Sequence, residues 1–203
     1  RKLAQDCAMR AIACPPEDVL AGELALAAGA IENGVGKIIV TRGNGARGYA
    51  PPQPSASTRI VTVSNPPQYP EAFARSGVEV HQCSIRLSYQ PRLAGIKHLN
   101  RLENVLARAE WSDPSIAEGL LQDADGHVIS GTMTNLLIVE GGSILTPRLS
   151  RCGVAGVTRE RVMEAAARRG MACREDDLAW QRILDAQEVL LVNSVIGAWQ
   201  VRQ

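Results

Sequence analysis

One lysine stands out among the residues that could carry covalent chemistry. The chain has only three lysines, at positions 2, 37 and 97, against nineteen arginines. Lys97 directly follows the apolar segment Leu93-Ala94-Gly95-Ile96 and precedes a stretch with helical spacing of leucines. An amine held in apolar surroundings has its charged form disfavoured, which makes it a nucleophile for carbonyl carbons. Lys97 is therefore the first candidate for a catalytic residue, and the alternative is a solvated lysine at the start of a helix.

A glycine-rich segment supplies candidate anion-binding groups. Residues 42–49 read RGNGARGY and include Arg42, Arg47 and Tyr49. Glycines let the backbone come close to a ligand, while guanidinium groups and a phenol donate hydrogen bonds that suit carboxylates. The segment is thus a candidate binding site for an anionic substrate. A flexible hairpin tip with solvated arginines would have the same composition.

Two later segments also carry groups suited to a ligand. Residues 153–158 read GVAGVT and open a predicted helix, so free backbone N–H groups, a hydroxyl and the positive end of the helix dipole would meet at Val157 and Thr158. This arrangement suits a phosphate, and capping of the helix by Thr158 is the alternative. The polar residues from Ser130 to Asn135 interrupt an apolar strand pattern, where they would either face a ligand or form a turn or bulge.

The periodicity of apolar residues predicts a mixed α/β chain around these groups. Leucines at positions 99, 102 and 106, with Ala109, predict a helix that begins near His98 and buries this face. Linker composition at 89–95 predicts a boundary between a domain of residues 1–92 and a domain of residues 93–203, which places Lys97 at a junction where pockets often form. The other predicted elements are helices at 2–13, 16–33, 157–169 and 177–186, strands at 37–41, 59–63, 78–87 and 188–193, a strand meander at 118–146, and a proline-rich connection at 64–76.

Composition excludes several classes of partner. The net charge of +1 comes from 22 basic and 21 acidic residues spread without runs, which indicates neither a nucleic-acid track nor a membrane-surface patch. No apolar run approaches the roughly 20 residues that span a bilayer. The five cysteines are odd in number and form no metal-binding pattern with the three histidines. A reducing, cytoplasmic protein that binds a small molecule and no metal is expected.

Five motifs follow one another in an order that resembles a known family. They are TRGNGARGY (41–49), LAGIKHLNRLENVLAR (93–108), VISGTMTNLLIV (128–139), LTPRLSRCGVAGVTRERV (145–162) and LLVNS (190–194). Over nearly all 203 residues the chain resembles the fold-type IV enzymes that use pyridoxal 5'-phosphate (PLP). The resemblance implies an α/β (α+β) fold, with a small N-terminal α/β domain that is truncated here and a larger, strand-rich C-terminal pseudo-barrel domain.

The resemblance also implies roles for individual residues. Lys97 matches the lysine that holds PLP covalently and later moves a proton. Arg101 takes the place where transaminases of the family often carry a tyrosine facing the cofactor, and Ser130 takes the place of a glutamate that faces the pyridine nitrogen. A serine would hold that nitrogen protonated less firmly. The remaining matches are Val157, Thr158 and Ser194 for the phosphate, and Arg47 and Tyr49, with Arg42 nearby, for substrate carboxylates.

The motif IKHLNRLE favours one branch of the family. That branch converts 4-amino-4-deoxychorismate to 4-aminobenzoate and pyruvate in folate biosynthesis, so the resemblance implies a PLP-dependent lyase that works as a homodimer. A D-amino-acid or branched-chain transaminase of the same fold is the alternative among enzymes. The alternative that is not an enzyme is a non-catalytic relative that binds small anions.

Overall fold

A computed structural model of the chain describes residues 1–202. The chain divides into two compact units, Arg1–Gln68 and Tyr69–Gln203, and each is described by itself. Both units mix helices and strands, as the sequence predicts. No helix in residues 1–202 is long and apolar enough to cross a membrane.

The first unit contains two helices followed by a two-stranded antiparallel sheet. Both helices end earlier than predicted, because Ala11 (φ +49°) and Gly29 (φ +53°) take left-handed conformations that a right-handed helix does not continue through. The strands pair from Val35 opposite Ser64 to Thr41 opposite Thr58, so residues 42–57 form the loop of a hairpin. The elements are α1 (Lys2–Met9), α2 (Glu17–Ala28), β1 (Val35–Thr41) and β2 (Thr58–Ser64).

The second unit is built on an eight-stranded sheet. Its strands are β3 (Glu79–Leu87), β4 (Ile116–Asp123), β5 (Val128–Gly131), β6 (Asn135–Glu140), β7 (Ser143–Pro147), β8 (Cys173–Asp176), β9 (Glu188–Asn193) and β10 (Gly197–Gln200). Its helices are α3 (Glu71–Ser76), α4 (Leu102–Arg108), α5 (Val157–Arg168) and α6 (Trp180–Asp185). The predicted meander is confirmed as β4 to β7, whereas α3, β8 and β10 were not predicted.

Hydrogen bonds between the two outer strands of the main path close the sheet on itself. The path runs β10-β9-β6-β5-β4-β3, and the residue before β3, Val78, then bridges in parallel to Val201 at the end of β10. The amide of Val78 donates to the carbonyl of Gln200 (2.8 Å), and the amide of Arg202 donates to the carbonyl of Val78 (2.9 Å). This bridge joins the two ends of the path at one point, which accords with the expected pseudo-barrel. The main buried cluster packs on it, with Val78, Leu120, Val128, Leu136, Ile138, Leu145, Leu178, Ile183, Val189, Leu191 and Trp199.

The division of the chain lies between Gln68 and Tyr69 rather than near residue 92. The segment that contains β3 belongs to the second unit because β3 pairs in parallel with β4, from Glu79 opposite Ile116 to Leu87 opposite Asp123. Linker composition at 89–95 therefore marks the connection between a barrel strand and α4.

Helix α4 turns its leucines away from the core. Leu99, Leu102 and Leu106 are 66%, 64% and 49% exposed, whereas Ala107 is fully buried against the β3 side of the unit. The predicted buried face is wrong for two reasons. The helix begins at Leu102 instead of near residue 98, so Leu99 lies outside it, and a small residue forms the close contact.

The second residue after α4 is a carboxylate that fastens the end of the helix to β3. Glu110 accepts hydrogen bonds from the amides of Ser84 (2.7 Å) and Ile85 (2.9 Å), and its Oε2 lies 3.2 Å from Nε2 of His81. Burial alone would raise the pKa of Glu110, but these hydrogen bonds together lower it to about 2. His81 thus lies in the strand predicted at 78–87, and its partner there is Glu110.

Candidate active site

A short parallel bridge joins the lysine segment to the segment that opens α5. The amide of Gly95 donates to the carbonyl of Gly153, and the amide of Ala155 donates to the carbonyl of Gly95; both N···O distances are 3.0 Å. Lys97 is exposed two residues after Gly95, next to buried Ile96. The structure therefore links two candidate segments that lie about 60 residues apart in the sequence.

Arg101 holds the backbone on both sides of Lys97. Its guanidinium donates to the carbonyls of Ile96 (2.9 Å) and His98 (3.1 Å). Burial lowers the pKa of Arg101, because the surroundings disfavour its charged form. Arg101 therefore positions the backbone of the lysine, and the sequence alone does not predict this role. Its predicted position facing a cofactor stays a prediction.

The polar interruption between β5 and β6 is a turn held by Glu118 of β4. Glu118 is fully buried, and its Oε1 accepts hydrogen bonds from the amides of Gly119 (2.9 Å) and Thr132 (3.0 Å) and from the Thr132 hydroxyl. Its Oε2 accepts hydrogen bonds from the amide of Met133 (3.1 Å) and the hydroxyl of Thr134 (3.0 Å). The sequence allowed two interpretations of this segment, ligand-facing residues or a turn, and its backbone has the geometry of a turn.

The same turn contacts two candidate site segments. Asn104 of α4 donates to the carbonyl of Thr132 (2.9 Å), and Asn193 at the end of β9 donates to the carbonyl of Met133 (3.2 Å). Asn193 also accepts hydrogen bonds from the amides of Val195 (2.8 Å) and Ile196 (2.9 Å), which shapes the backbone around Ser194. Ser130 is 7% exposed at the end of β5, where it pairs across the sheet with Leu121 and Asn135.

The start of α5 has the features of an anion site. Its N-cap residue is Gly156, which has no side chain to occupy the first-turn N–H groups. Thr158 therefore does not cap the helix. Its hydroxyl instead lies 3.5 Å from that of Ser194, so two hydroxyls from distant segments meet beside the helix N-terminus. Val157 is 38% exposed at the same end.

Arg42 and Arg47, predicted together for substrate carboxylates, have different surroundings in the first unit. Arg42 donates to the carbonyls of Ala11 (2.8 Å) and Arg10, so it satisfies backbone groups just after α1. Arg47 and Tyr49 are exposed in the hairpin loop. The structure therefore gives Arg42 a structural partner and leaves the other two side chains accessible to a ligand.

One group of possible metal ligands already has a positive partner. Within residues 1–202 the ligand atoms of Asp123, Asp125 and His127 lie within 4.8 Å of one another. Arg151 donates to Asp123 Oδ2 (3.3 Å), and its Nη1 lies 3.7 Å from Asp125 Oδ2. The guanidinium balances the carboxylates, so we assign no metal to this group.

Fold and site together define a family. The chain belongs to the amino-transferase class IV family, whose model matches residues 2–203. The family consists of PLP-dependent enzymes, so the predicted family and fold class are confirmed.

Comparison with individual proteins shows which members of the family the chain is similar to. The chain is 40% identical over 164 residues to an aminodeoxychorismate lyase of Vibrio harveyi, which covers 79% of this chain and 59% of that protein. It aligns with the crystal structure of 4-amino-4-deoxychorismate lyase from Pseudomonas aeruginosa at 46% identity and a TM-score of 0.93, over 99% of this chain and 74% of that one. A branched-chain amino acid aminotransferase from Escherichia coli (18% identity, TM-score 0.79) shares the fold. The chain thus spans about three fifths of the length of the Vibrio protein.

The donor set at α5 fits a phosphorylated aldehyde cofactor. The first-turn N–H groups behind the N-cap glycine and the two hydroxyls are donors that suit a phosphate, and the bridge at Gly95 connects this segment to the only lysine of the second unit. Sequence reasoning missed Glu118 and Asn193, and it named Asn135 only as part of the polar interruption. The signal for the first was an acidic residue inside an otherwise apolar strand sequence, IAEGLLQ.

Proposed function

We propose that this protein holds PLP covalently at Lys97 and releases pyruvate from 4-amino-4-deoxychorismate. The observation that carries the proposal is the bridge between residues 95 and 154, which connects the amine segment with the phosphate cradle at Val157, Thr158 and Ser194. The likeness to lyases of two bacteria favours this substrate over an amino acid.

Each residue has a distinct task in the proposed reaction. PLP, when bound, supplies an electron sink for the carbon that bears the substrate's amine. The Lys97 amine, once the substrate's amine has replaced it on the cofactor, would take the proton from that carbon. Arg47 and Tyr49 bind the carboxylates of the substrate through charge-assisted and phenolic hydrogen bonds. Arg101 fixes the backbone of Lys97 through two carbonyls.

Aromatisation assists this chemistry. Loss of the enolpyruvyl ether as pyruvate converts the ring to 4-aminobenzoate, so ring aromaticity contributes much of the driving force. A serine at position 130, in place of an acidic partner for the pyridine nitrogen, gives weaker electron withdrawal. A reaction driven by aromatisation tolerates that weakness better than a transamination does, which is a second reason to favour the lyase.

We further propose a cytoplasmic homodimer. This follows from the family resemblance, and five cysteines that are all unpaired in residues 1–202 agree with a reducing compartment.

Borohydride reduction in the presence of PLP tests the cofactor site. We expect the intact mass to increase by one reduced cofactor, and peptide mapping to place the adduct on Lys97. Lys97→Ala should abolish the adduct, whereas Lys37→Ala, which removes a lysine of the first unit, should retain it. An adduct on Lys2 or Lys37 would refute the assignment.

Product analysis separates the alternatives. The lyase releases 4-aminobenzoate and pyruvate from 4-amino-4-deoxychorismate. A branched-chain or D-amino-acid transaminase would instead convert the bound cofactor to its pyridoxamine form when given an amino acid alone. A relative that only binds small anions would show neither the product nor, after excess PLP has been removed, the absorbance of a protein-bound cofactor.

A further inference from the structure

We propose that Asn135 is a positioning residue for the phosphate end of the site. One side-chain amide of β6 fixes the backbone that leads into α5, and thereby the N–H groups of the first helical turn. This inference rests on the proposed function, because it concerns how the chain holds the phosphate of PLP.

Both ends of the Asn135 amide bind the same short segment. Its Nδ2 donates to the carbonyl of Val154 (2.7 Å), and its Oδ1 accepts from the amide of Gly156 (3.1 Å). A bidentate contact of this kind fixes the direction of the segment as well as its distance. Asn135 is 8% exposed, so water does not compete strongly for either hydrogen bond.

The side chain projects from a rigid part of the sheet. β6 pairs with β9, where Asn135 lies opposite Val192, and with β5, where Asn135 lies opposite Ser130. A residue paired on both sides has little freedom to follow a displaced loop. Asn135 therefore sets the position of residues 154–156 relative to the sheet.

The Asn135 amide occupies the space that a side chain at position 156 would need. A Cβ atom built on Gly156 would lie 2.1 Å from Asn135 Oδ1, far inside van der Waals contact. The Gly156 backbone, with φ −73° and ψ 148°, is open to any L-residue. The space taken by the amide, rather than backbone conformation, is therefore what requires glycine at the helix N-cap.

The rest of α5 has an independent anchor. Arg159, 5% exposed, donates to the Thr146 hydroxyl (2.9 Å) and to the carbonyl of Pro147 (3.1 Å). Loss of the Asn135 contact should therefore loosen the first turn of α5 without releasing the helix. A small displacement there weakens hydrogen bonds to a phosphate, since these bonds depend steeply on distance and angle.

The test compares PLP with pyridoxal, which lacks the phosphate. Each is titrated into the wild-type chain, Asn135→Ala and a control, Gln187→Ala, whose amide accepts a hydrogen bond from Gly142 elsewhere in the unit. We expect Asn135→Ala to weaken PLP binding about tenfold, the effect of losing one to two neutral hydrogen bonds. Pyridoxal binding should stay within about twofold, and the control should match wild type.

A double-mutant cycle tests the contact itself. Gly156→Ala should weaken PLP binding in the wild-type chain, because its new methyl group collides with the amide oxygen. In the Asn135→Ala background the oxygen is gone, so the same substitution should cost much less. Additive effects, or an equal loss of pyridoxal binding, would overturn the proposal. If Asn135→Ala does not fold, Gly156→Ala carries the same PLP-against-pyridoxal comparison.

The outcomes separate this inference from the proposed function. A wild-type chain that forms no PLP adduct at Lys97 would refute both. A wild-type chain that forms the adduct, with Asn135→Ala binding PLP equally well, would refute only the role of Asn135.

Discussion

Replacing Glu118 by glutamine tests how the turn between β5 and β6 is held. The substitution keeps the shape of the side chain but removes its charge and converts one acceptor oxygen into an NH₂ group. In the native structure the carboxylate accepts five hydrogen bonds and is fully buried. A glutamine can satisfy only part of this set, because most of the partners can only donate.

The size of the effect follows from which partners lose their acceptor. The less costly orientation places the glutamine NH₂ where Oε2 was, since only two donors meet that atom and three meet Oε1. There the Thr134 hydroxyl can rotate and accept, but the amide of Met133 loses its partner. One unpaired N–H and the loss of charge from the remaining bonds should lower the free energy of unfolding by about 2–4 kcal/mol. For a chain of this length that is a fall in melting temperature of roughly 5–15 °C.

Tryptophan fluorescence during urea unfolding measures this change selectively. All three tryptophans, at positions 111, 180 and 199, lie in the second unit, so their signal reports the unit that contains Glu118. Glu188→Gln is the matched control, because this glutamate of β9 is exposed and its loss should change stability by less than about 0.5 kcal/mol. A Glu118→Gln protein as stable as wild type would show that the carboxylate does not hold the turn through charged hydrogen bonds.

Three further predictions follow from single contacts. Glu110→Gln should lose about 3 kcal/mol of stability at pH 7, since a carboxyl pKa lowered from 4.5 to about 2 stabilises the folded state above pH 4.5; in urea unfolding the difference from wild type should shrink to about half by pH 3 and vanish below pH 2. Arg47→Ala should weaken substrate binding by about 1.5–3 kcal/mol without changing PLP loading, whereas Arg42→Ala should lower thermal stability; cofactor loss in the Arg47 variant would contradict this division. Burial raises the pKa of the Cys7 thiol to about 11 and those of Cys83 and Cys152 to about 12, so a thiol reagent at pH 8 should modify these three buried cysteines only after denaturation, whereas the half-buried Cys14 should react in the folded protein.

Strand positions followed closely from the sequence because alternation and turn signals are local. The apolar runs before and after residues 132–134 became β5 and β6, and the runs KIIVT and RIVTV became β1 and β2. The helix face at α4 could not be predicted in this way. Periodicity shows which residues would share a face, but the packing partner decides which face is buried. Here close approach to β3 buries Ala107 and leaves Leu102 and Leu106 exposed.

The candidate site residues also divide into those that the local sequence predicts and those whose role depends on a distant partner. Lys97, Thr158 and Ser194 could be proposed from type and motif, because each carries its own chemistry. The task of Arg42 could not, since its partners, the carbonyls of residues 10 and 11, are backbone groups that every residue possesses. An arginine in a glycine-rich loop gives the same sequence pattern whether its guanidinium binds a substrate or the backbone carbonyls of a neighbouring turn.

The residues that hold the site share one physical origin. Irregular segments carry backbone groups that no helix or sheet pairs, and close to a packed core these groups need other partners. Arg101 supplies them beside the lysine, Glu118 at the β5–β6 turn, Asn135 before α5 and Asn193 after β9. Glu118, Asn135 and Asn193 lie in strands beside apolar runs. A buried polar residue in an apolar strand is costly unless it is fully paired, so such a residue indicates that an irregular segment with unpaired backbone groups lies within reach of its side chain.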